Sequence, residues 1–329
     1  MHNLLRASIY GTGAYLPERI LDNDALEQMV DTDDAWIRER TGIRERRIAH
    51  AKEATADLAE QAARTALERA GIEASALDLI ILATVTPDQW VPPASCILQH
   101  RLGAKKAAAF DLNAACSGFL YSIAVANQMI ASGNFRYVLV VGAETLSRVI
   151  DYTDRNTCIL FGDGAGAALL GPARGDEGIL AINLGADGGG GDLIQIPAGG
   201  SRQPPSHQTI EQRLHFVQMK GNEVFKLAVR SMLSSADAAM AQAGLERADI
   251  DWVVPHQANL RIIRAMVQRL GLEQSRIIIT LDRHGNTSAA SVPLALAEAI
   301  AQGKIAKGQT VLLTGFGAGL TWGSAVIRY

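Results

Sequence analysis

Cysteine is scarce in this chain, with 3 among 329 residues. So low and odd a count excludes a disulfide framework and fits a reducing compartment, so a cytoplasmic location is expected. No apolar run reaches the roughly 18 residues of a membrane span. The N-terminus, MHNLLRASIYGTG, turns polar too soon for a signal peptide. There is no basic excess either. The net charge of -3 argues against general nucleic-acid binding. Aromatic residues make up only 5%. In their place stand 48% hydrophobic residues and 31 glycines, the composition of an α/β enzyme with a large core and many tight turns.

Taken in order, Ala7 to Leu16 reads as a strand broken by Gly11-Thr-Gly13, which lacks the third glycine of a dinucleotide fingerprint. Thr32 to Arg40 reads as a short helix with Thr32 as its N-cap and Gly42 just past its end. Trp36 and Arg40 share a face of it. Thr55 to Ala70 is amphipathic, with Leu58, Ala62, Ala63, Ala66 and Leu67 inward. Leu79 to Val85 and Tyr137 to Gly142 are apolar runs of the kind that form strands covered on both faces. Ala94 to Leu102 is helical. Asp111 to Gly118, DLNAACSG, joins a strand to a helix beginning near Ser117, and FGDGAGAALL is a turn followed by a strand.

The same order then repeats. GILAINL resembles the first strand. Helices ending Ala70-Gly71-Ile72-Glu73 and Ala243-Gly244-Leu245-Glu246 are each followed by an Asp and an apolar strand. Helices ending Arg101-Leu102-Gly103 and Arg269-Leu270-Gly271 come next, and VLVVG and VLLTG close the halves. This order implies an internal duplication, residues 1–176 and 177–329. Cys116 and Asn286 then occupy equivalent strand-to-helix junctions, and His256 ends an equivalent strand. Ligands gather at the carboxyl ends of parallel strands. Two halves packed about a pseudo-twofold axis would therefore bring Cys116, His256 and Asn286 to one pocket.

The first turn of a helix carries unpaired N–H groups and partial positive charge, so the Cys116 thiolate is expected to be stabilised there. A thiolate beside an imidazole accepts acyl groups. An imidazole and a carboxamide aimed at one carbonyl oxygen stabilise an enolate. Taken singly, each residue also has a bland reading: Cys116 as a buried structural cysteine, His256 as a satisfied buried histidine, Asn286 as a turn or cap. His284, two positions before Asn286, is a competing base. His207 and His215 lack partners at ligand spacing, so no metal is expected. Gly188 to Gly191 reads as a turn, and FGDGAG lacks the Lys-Ser/Thr of a P-loop. FGAGLTWG, after a buried strand, offers backbone N–H groups to a pocket.

These motifs resemble the β-ketoacyl-acyl-carrier-protein synthase III family of thiolase-like condensing enzymes. The resemblance runs through TDDAWIRERTGIRERR, DLNAACSGFLY, TDRNTCILFGDGAGA, GNEVFK, VVPHQANLRI, HGNTSAASVP and GFGAGLTWGSA. It implies a five-layered αβαβα homodimer with a Cys116-His256-Asn286 triad and no cofactor beyond its substrates, acyl-CoA and malonyl-acyl carrier protein. The implied reaction is decarboxylative condensation to a 3-oxoacyl carrier protein. Its oxyanion hole maps to the backbone N–H groups of Cys116 and Ala318. Trp36 and Arg155 resemble the pair that sandwiches the CoA adenine, Arg40 a residue near the CoA phosphates, and Asn222 and Asn259 residues of the pantetheine tunnel. Arg261 and Arg264 offer a basic face to an acidic carrier protein; an ordinary solvated helix is the alternative. TPDQWVPPASC resembles the loop by which one subunit caps the other's acyl pocket. Val91 stands there where many relatives carry Phe, beside Trp90, which implies tolerance of primers longer than acetyl.

Three other classes remain at this stage. Relatives with the same triad make alkylquinolones or transfer acyl groups without condensing them. Papain-like hydrolases share the chain order Cys, His, Asn. A non-catalytic carrier-protein-binding module is the third. Release of CO₂ from a malonyl thioester separates the condensing enzyme from the last two.

Overall fold

A computed structural model describes residues 6–329. Met1 to Leu5, part of the stretch read as too polar for a signal peptide, lie outside the described residues. Two mixed sheets organise the chain. The first has the order 7–15, 164–172, 138–144, 79–83, 108–112; the second has the order 252–255, 310–317, 321–328, 178–186. In each, an antiparallel pair leads into parallel strands. Val138–Glu144 pairs antiparallel with Gly164–Pro172 and parallel with Leu79–Ala83, while Thr310–Gly317 pairs antiparallel with Thr321–Arg328 and parallel with Trp252–Pro255. Among the described residues the second sheet has no regular fifth strand. Only a parallel bridge from Val253 to Ile277 stands where Leu79–Ala83 pairs with Ala108–Leu112.

The helices Gly118–Ala131 and Ser291–Ala301 fill the space between the sheets. Their Phe119, Leu120, Ile123, Val292 and Leu296 share one buried cluster with Val140 and Leu170 of the first sheet and Val311 and Leu313 of the second. Thr55–Ala70 and Ala94–Leu102 cover the outer face of the first sheet, and Gly221–Ala243 covers that of the second. The result is the five-layered αβαβα arrangement. Thr55–Ala70 packs close to the sheet because five of its eight buried residues are alanine. A side chain at Gly13 would run into the backbone of Ala62 and Ala66, so the small residues on both partners permit the contact. Gly71, Gly103, Gly244 and Gly271 all end helices in the left-handed region, as the repeated endings in the sequence require.

One boundary differs from expectation. The helix bearing Trp36 is Asp34–Thr41, and its cap is Asp33, not Thr32. The Asp33 carboxylate accepts the Trp36 N–H at 2.7 Å. Either residue type can cap; a carboxylate also gains from the partial positive charge of the helix start.

Candidate active site

Cys116 sits where the strand Ala108–Leu112 ends. Asn113 turns the chain by accepting the Ala115 N–H on its Oδ1 at 3.2 Å. Ala115 takes a φ of 47°, a single 3₁₀ turn spans Ala115–Ser117, and the helix Gly118–Ala131 follows. The glycine-rich hairpin of the other half closes on this turn. A Cβ at Gly317 would stand 2.6 Å from the Cys116 nitrogen, so glycine is required for the approach. The Thr321 hydroxyl lies 2.8 Å from the Ala114 carbonyl, and the Ser117 hydroxyl donates back to the Thr321 carbonyl at 3.1 Å. Ala318 is thereby brought beside Cys116, and both line one cavity.

Asn286 lies at the matching turn of the other half. Its Oδ1 accepts the Ser288 N–H at 2.9 Å, Ser288 has a φ of 49°, and a 3₁₀ turn Ser288–Ala290 precedes the helix Ser291–Ala301. Residue for residue, the counterpart of Asn286 is Asn113, and that of Cys116 is Ala289. With Oδ1 held by the backbone, the amide Nδ2 is left to face the cavity. His256, just past the strand Trp252–Pro255, is 2% exposed, and its Nδ1 lies 2.6 Å from the Ser291 hydroxyl. That oxygen also accepts the Gln257 N–H at 3.4 Å. An oxygen already accepting from N–H is set to give its own proton to Nδ1. The imidazole proton then sits on Nε2 as a second donor.

Burial sets the charges. It pushes the Cys116 thiol up to about 12, against a hydrogen bond from Ser288 that favours the thiolate. Burial thus opposes the thiolate stabilisation expected from the helix start. Cys116 lies within the 3₁₀ turn Ala115–Ser117, before the first turn of the α-helix. Burial also lowers His256 to about 3, so the imidazole is neutral. Glu144, fully buried at the end of Val138–Glu144, is raised to about 7 by desolvation, against donors from Thr84, Val85, Thr86 and Ser288. A neutral thiol thus faces two neutral donors.

The cavity measures about 1790 Å³ and opens past Trp36, Arg40, Asn222, Asn259 and Arg261. Trp36 carries a guanidinium on each of two contacts, Arg40 at 4.5 Å and Arg155 at 4.8 Å from the ring centroid. Arg155 also donates to the Asp31 carbonyl at 2.7 Å. Asn222 is exposed near the start of Gly221–Ala243. Asn259 is the N-cap of Leu260–Leu270, and its Nδ2 donates to the Arg40 carbonyl at 3.0 Å, so its carboxamide braces the tunnel wall at both ends. Arg261 and Arg264 are exposed on that helix. Arg155, Arg264 and Val91 do not line the cavity, whereas Trp90 does. Trp90 and Val91 are 78% and 83% exposed on their loop.

His284 is not a competitor for the base. It is buried away from the cavity lining, and its Nε2 lies 3.0 Å from Glu298. No group of three or more metal-ligating residues occurs among the described residues, and no described helix is long and apolar enough to cross a membrane. Sequence reasoning missed Ser288, Ser291, Thr321 and Glu144. A signal for Ser291 existed: it opens the second inner helix where Gly118 opens the first, a hydroxyl placed where the other half needs none.

A family model described as 3-oxoacyl-[acyl-carrier-protein] synthase III matches residues 110–188, and that for its C-terminal region matches residues 240–329. The chain is 54% identical over 325 residues to a β-ketoacyl-[acyl-carrier-protein] synthase III of Caldanaerobacter subterraneus, covering 99% of this chain and 98% of the relative. A solved 3-oxoacyl-[acyl-carrier-protein] synthase III from Aquifex aeolicus superposes with a TM-score of 0.91 at 44% identity, over 98% and 100% of the two chains. The priming β-ketosynthase of the R1128 polyketide pathway superposes equally well, with a TM-score of 0.91 at 38% identity over 100% and 98%. With the paired sheets, the inner helices and the Cys-His-Asn pocket in place, the chain belongs to the 3-oxoacyl-acyl-carrier-protein synthase III family of thiolase-like acyltransferases.

Proposed function

We propose that this chain joins an acyl-CoA primer to malonyl-acyl carrier protein, releasing CoA and CO₂ and giving a 3-oxoacyl-acyl carrier protein that opens fatty-acid synthesis. One observation supports the chemistry above others. Two neutral donors, Asn286 Nδ2 and His256 Nε2–H, have their other polar atoms tied down and share a cavity with Cys116. Neutral donors stabilise a developing enolate without trapping the malonyl carboxylate as an ion pair.

In the first step the Cys116 sulfur attacks the acyl-CoA carbonyl. The tetrahedral oxyanion is held by the N–H groups of Cys116 and Ala318, and the thiol proton leaves with the CoA sulfur. Malonyl-acyl carrier protein then enters. Its bond to the carboxylate breaks, CO₂ leaves, and the electron pair passes to a thioester enolate held by His256 and Asn286. The enolate carbon attacks the acyl-cysteine, and collapse of that oxyanion frees the Cys116 thiolate, which takes up one proton from water to return as the thiol.

Trp36 serves as the stacking face for adenine. Arg155 swings off the ring to close over the base, since it now occupies that face. Arg40 takes the CoA phosphates, Asn222 and Asn259 flank the pantetheine, and Arg261 and Arg264 meet the carrier protein. The exposed Trp90 and Val91 fit a homodimer in which each loop caps the partner's acyl pocket, and the small Val91 admits primers longer than acetyl. The halves 1–176 and 177–329 are read as two thiolase-like domains from one duplication, and the enzyme as cytoplasmic.

The test follows label from acetyl- and octanoyl-CoA onto Cys116, then adds malonyl-acyl carrier protein. Transfer into a 3-oxoacyl chain with CO₂ release is expected. Label recovered only as free acid or on another acceptor would make the chain a thioesterase or simple acyltransferase. The likeness to a priming ketosynthase supports a second reading, service to a specialised pathway, which preference for a dedicated carrier protein would establish.

A further inference from the structure

Arg46 is among the largest fully buried side chains, and no carboxylate is among its hydrogen-bond partners. It lies on Glu45–Ile48, a strand paired with Arg19–Asp22. One Nη donates to the Leu21 carbonyl at 3.0 Å and to Asn23 Oδ1 at 2.9 Å; the other donates to the Ile159 carbonyl at 2.7 Å. A buried cation without a counter-ion is costly, and a neutral side chain would fill the same space for less. What only arginine supplies is a rigid planar fork that ties its own strand to two other chain segments at once, Leu21–Asn23 and Ile159.

The segment of Ile159 pairs with the one that carries Asn286. The Asn286 N–H donates to the Leu160 carbonyl at 2.8 Å, and the Gly162 N–H donates to the Asn286 carbonyl at 3.0 Å, a parallel bridge across Phe161. Arg46 grips this bridge from both sides. Its guanidinium holds Ile159, next to Leu160, while its own Cβ is the floor on which Gly162 and Gly285 rest: a Cβ at either glycine would stand 3.0 Å from it. Gly285 has a φ of 65°, the turn that delivers Asn286 to the cavity. This gives a role to the FGDGAG motif, which is not a phosphate loop. Its first residues are the rail for the Asn286 backbone.

We propose that Arg46 is a positioning residue for Asn286: by fixing the Ile159–Gly162 rail it aims the carboxamide at the malonyl thioester oxygen during decarboxylation, without touching substrate. The proposal rests on the reading of Asn286 given above. Cys116 is held by different contacts, from Gly317, Ser117 and Thr321, so the acylation step is independent of the clamp.

The two steps are measured separately: transfer of labelled acetyl from acetyl-CoA to Cys116, and CO₂ release from malonyl-acyl carrier protein by the acylated enzyme. A misplacement of about 1 Å costs on the order of 100-fold. Arg46→Lys keeps charge and stem but loses the fork. It is expected to acylate within about 3-fold of the parent and to release CO₂ roughly 30- to 100-fold more slowly, with an unchanged KM for the carrier substrate. Adding Arg46→Lys to Asn286→Ala should slow CO₂ release no further. Equal loss in both steps, or no loss in a folded variant, overturns the clamp. Should Arg46→Lys fail to fold, Asn23→Ala removes one acceptor of the fork and should show the same selective loss, about 5-fold; equal loss there, or failure of both to fold, overturns it also. Asn286→Ala measured alongside separates the two claims. If it releases CO₂ normally, the active-site reading fails; if it does not and Arg46→Lys does, only the clamp fails.

Discussion

At Asn113 and at Asn286 the chain makes the same turn. Each asparagine accepts the N–H two residues on, each is followed two residues later by a residue with φ near +50°, and each leads through one 3₁₀ turn into an inner helix. The chemistry is nevertheless divided between them. The first turn puts Cys116 after the strained residue, and the second puts Ala289 there. Both asparagines line the cavity, but the second is buried and the first exposed. On the function proposed above, the nucleophile and the polarising amide occupy different positions of one repeated turn, so a single backbone solution used twice would furnish both partners of a condensation.

The comparison breaks most sharply by exchanging losses. Cys116→Ala should abolish acylation, while Asn286→Ala should acylate within about 3-fold and release CO₂ from malonyl-acyl carrier protein about 100- to 1,000-fold more slowly, the usual cost of one oxyanion donor. Partial-reaction assays check this, and equal losses in both steps would merge the two roles. A smaller effect concerns charge at the first turn. The thiolate is the reactive form, and burial holds Cys116 as a thiol well above its ordinary value. The rate of its alkylation by iodoacetamide, corrected with Cys116→Ala, should keep climbing between about pH 8 and pH 10. A plateau below the ordinary cysteine value of about 8.5 would restore the helix start as the dominant influence. The smallest effect is Asn113→Ala. It removes one exposed side-chain to backbone hydrogen bond, so it should cost at most about 1 kcal/mol in denaturant unfolding and leave CO₂ release intact. A loss like that of Asn286→Ala would mean the two asparagines are not functionally distinct.

Much of this was legible in the sequence where the signal is local. Thr55–Ala70 and Ala94–Leu102 have the expected bounds because both the apolar period and the stop glycine are written in the chain. The repeated order of endings brought Cys116, His256 and Asn286 to one cavity. What was not legible depends on partners far away in the chain. The thiol's high pKa comes from burial, with the C-terminal hairpin closing on its turn and the charge of Glu144 adding to it, which no local pattern encodes. Ser291 gains meaning only once His256 stands 35 positions earlier at its side. Arg46 stands in a run of four charged residues, Arg44 to Arg47, yet it is fully buried. Even the Asp33 cap escaped for a related reason, since Thr32 and Asp33 are equally able and only the chain's path chooses.

The Thr321 hydroxyl reaches back 207 positions to the Ala114 carbonyl, and Ser117 reaches 204 to Thr321. Contacts between positions so far apart in sequence close late in folding, because the long loop between them costs entropy before any contact repays it. A variant without the hairpin of residues 310–328 would keep Cys116 and lose the wall that closes on its turn.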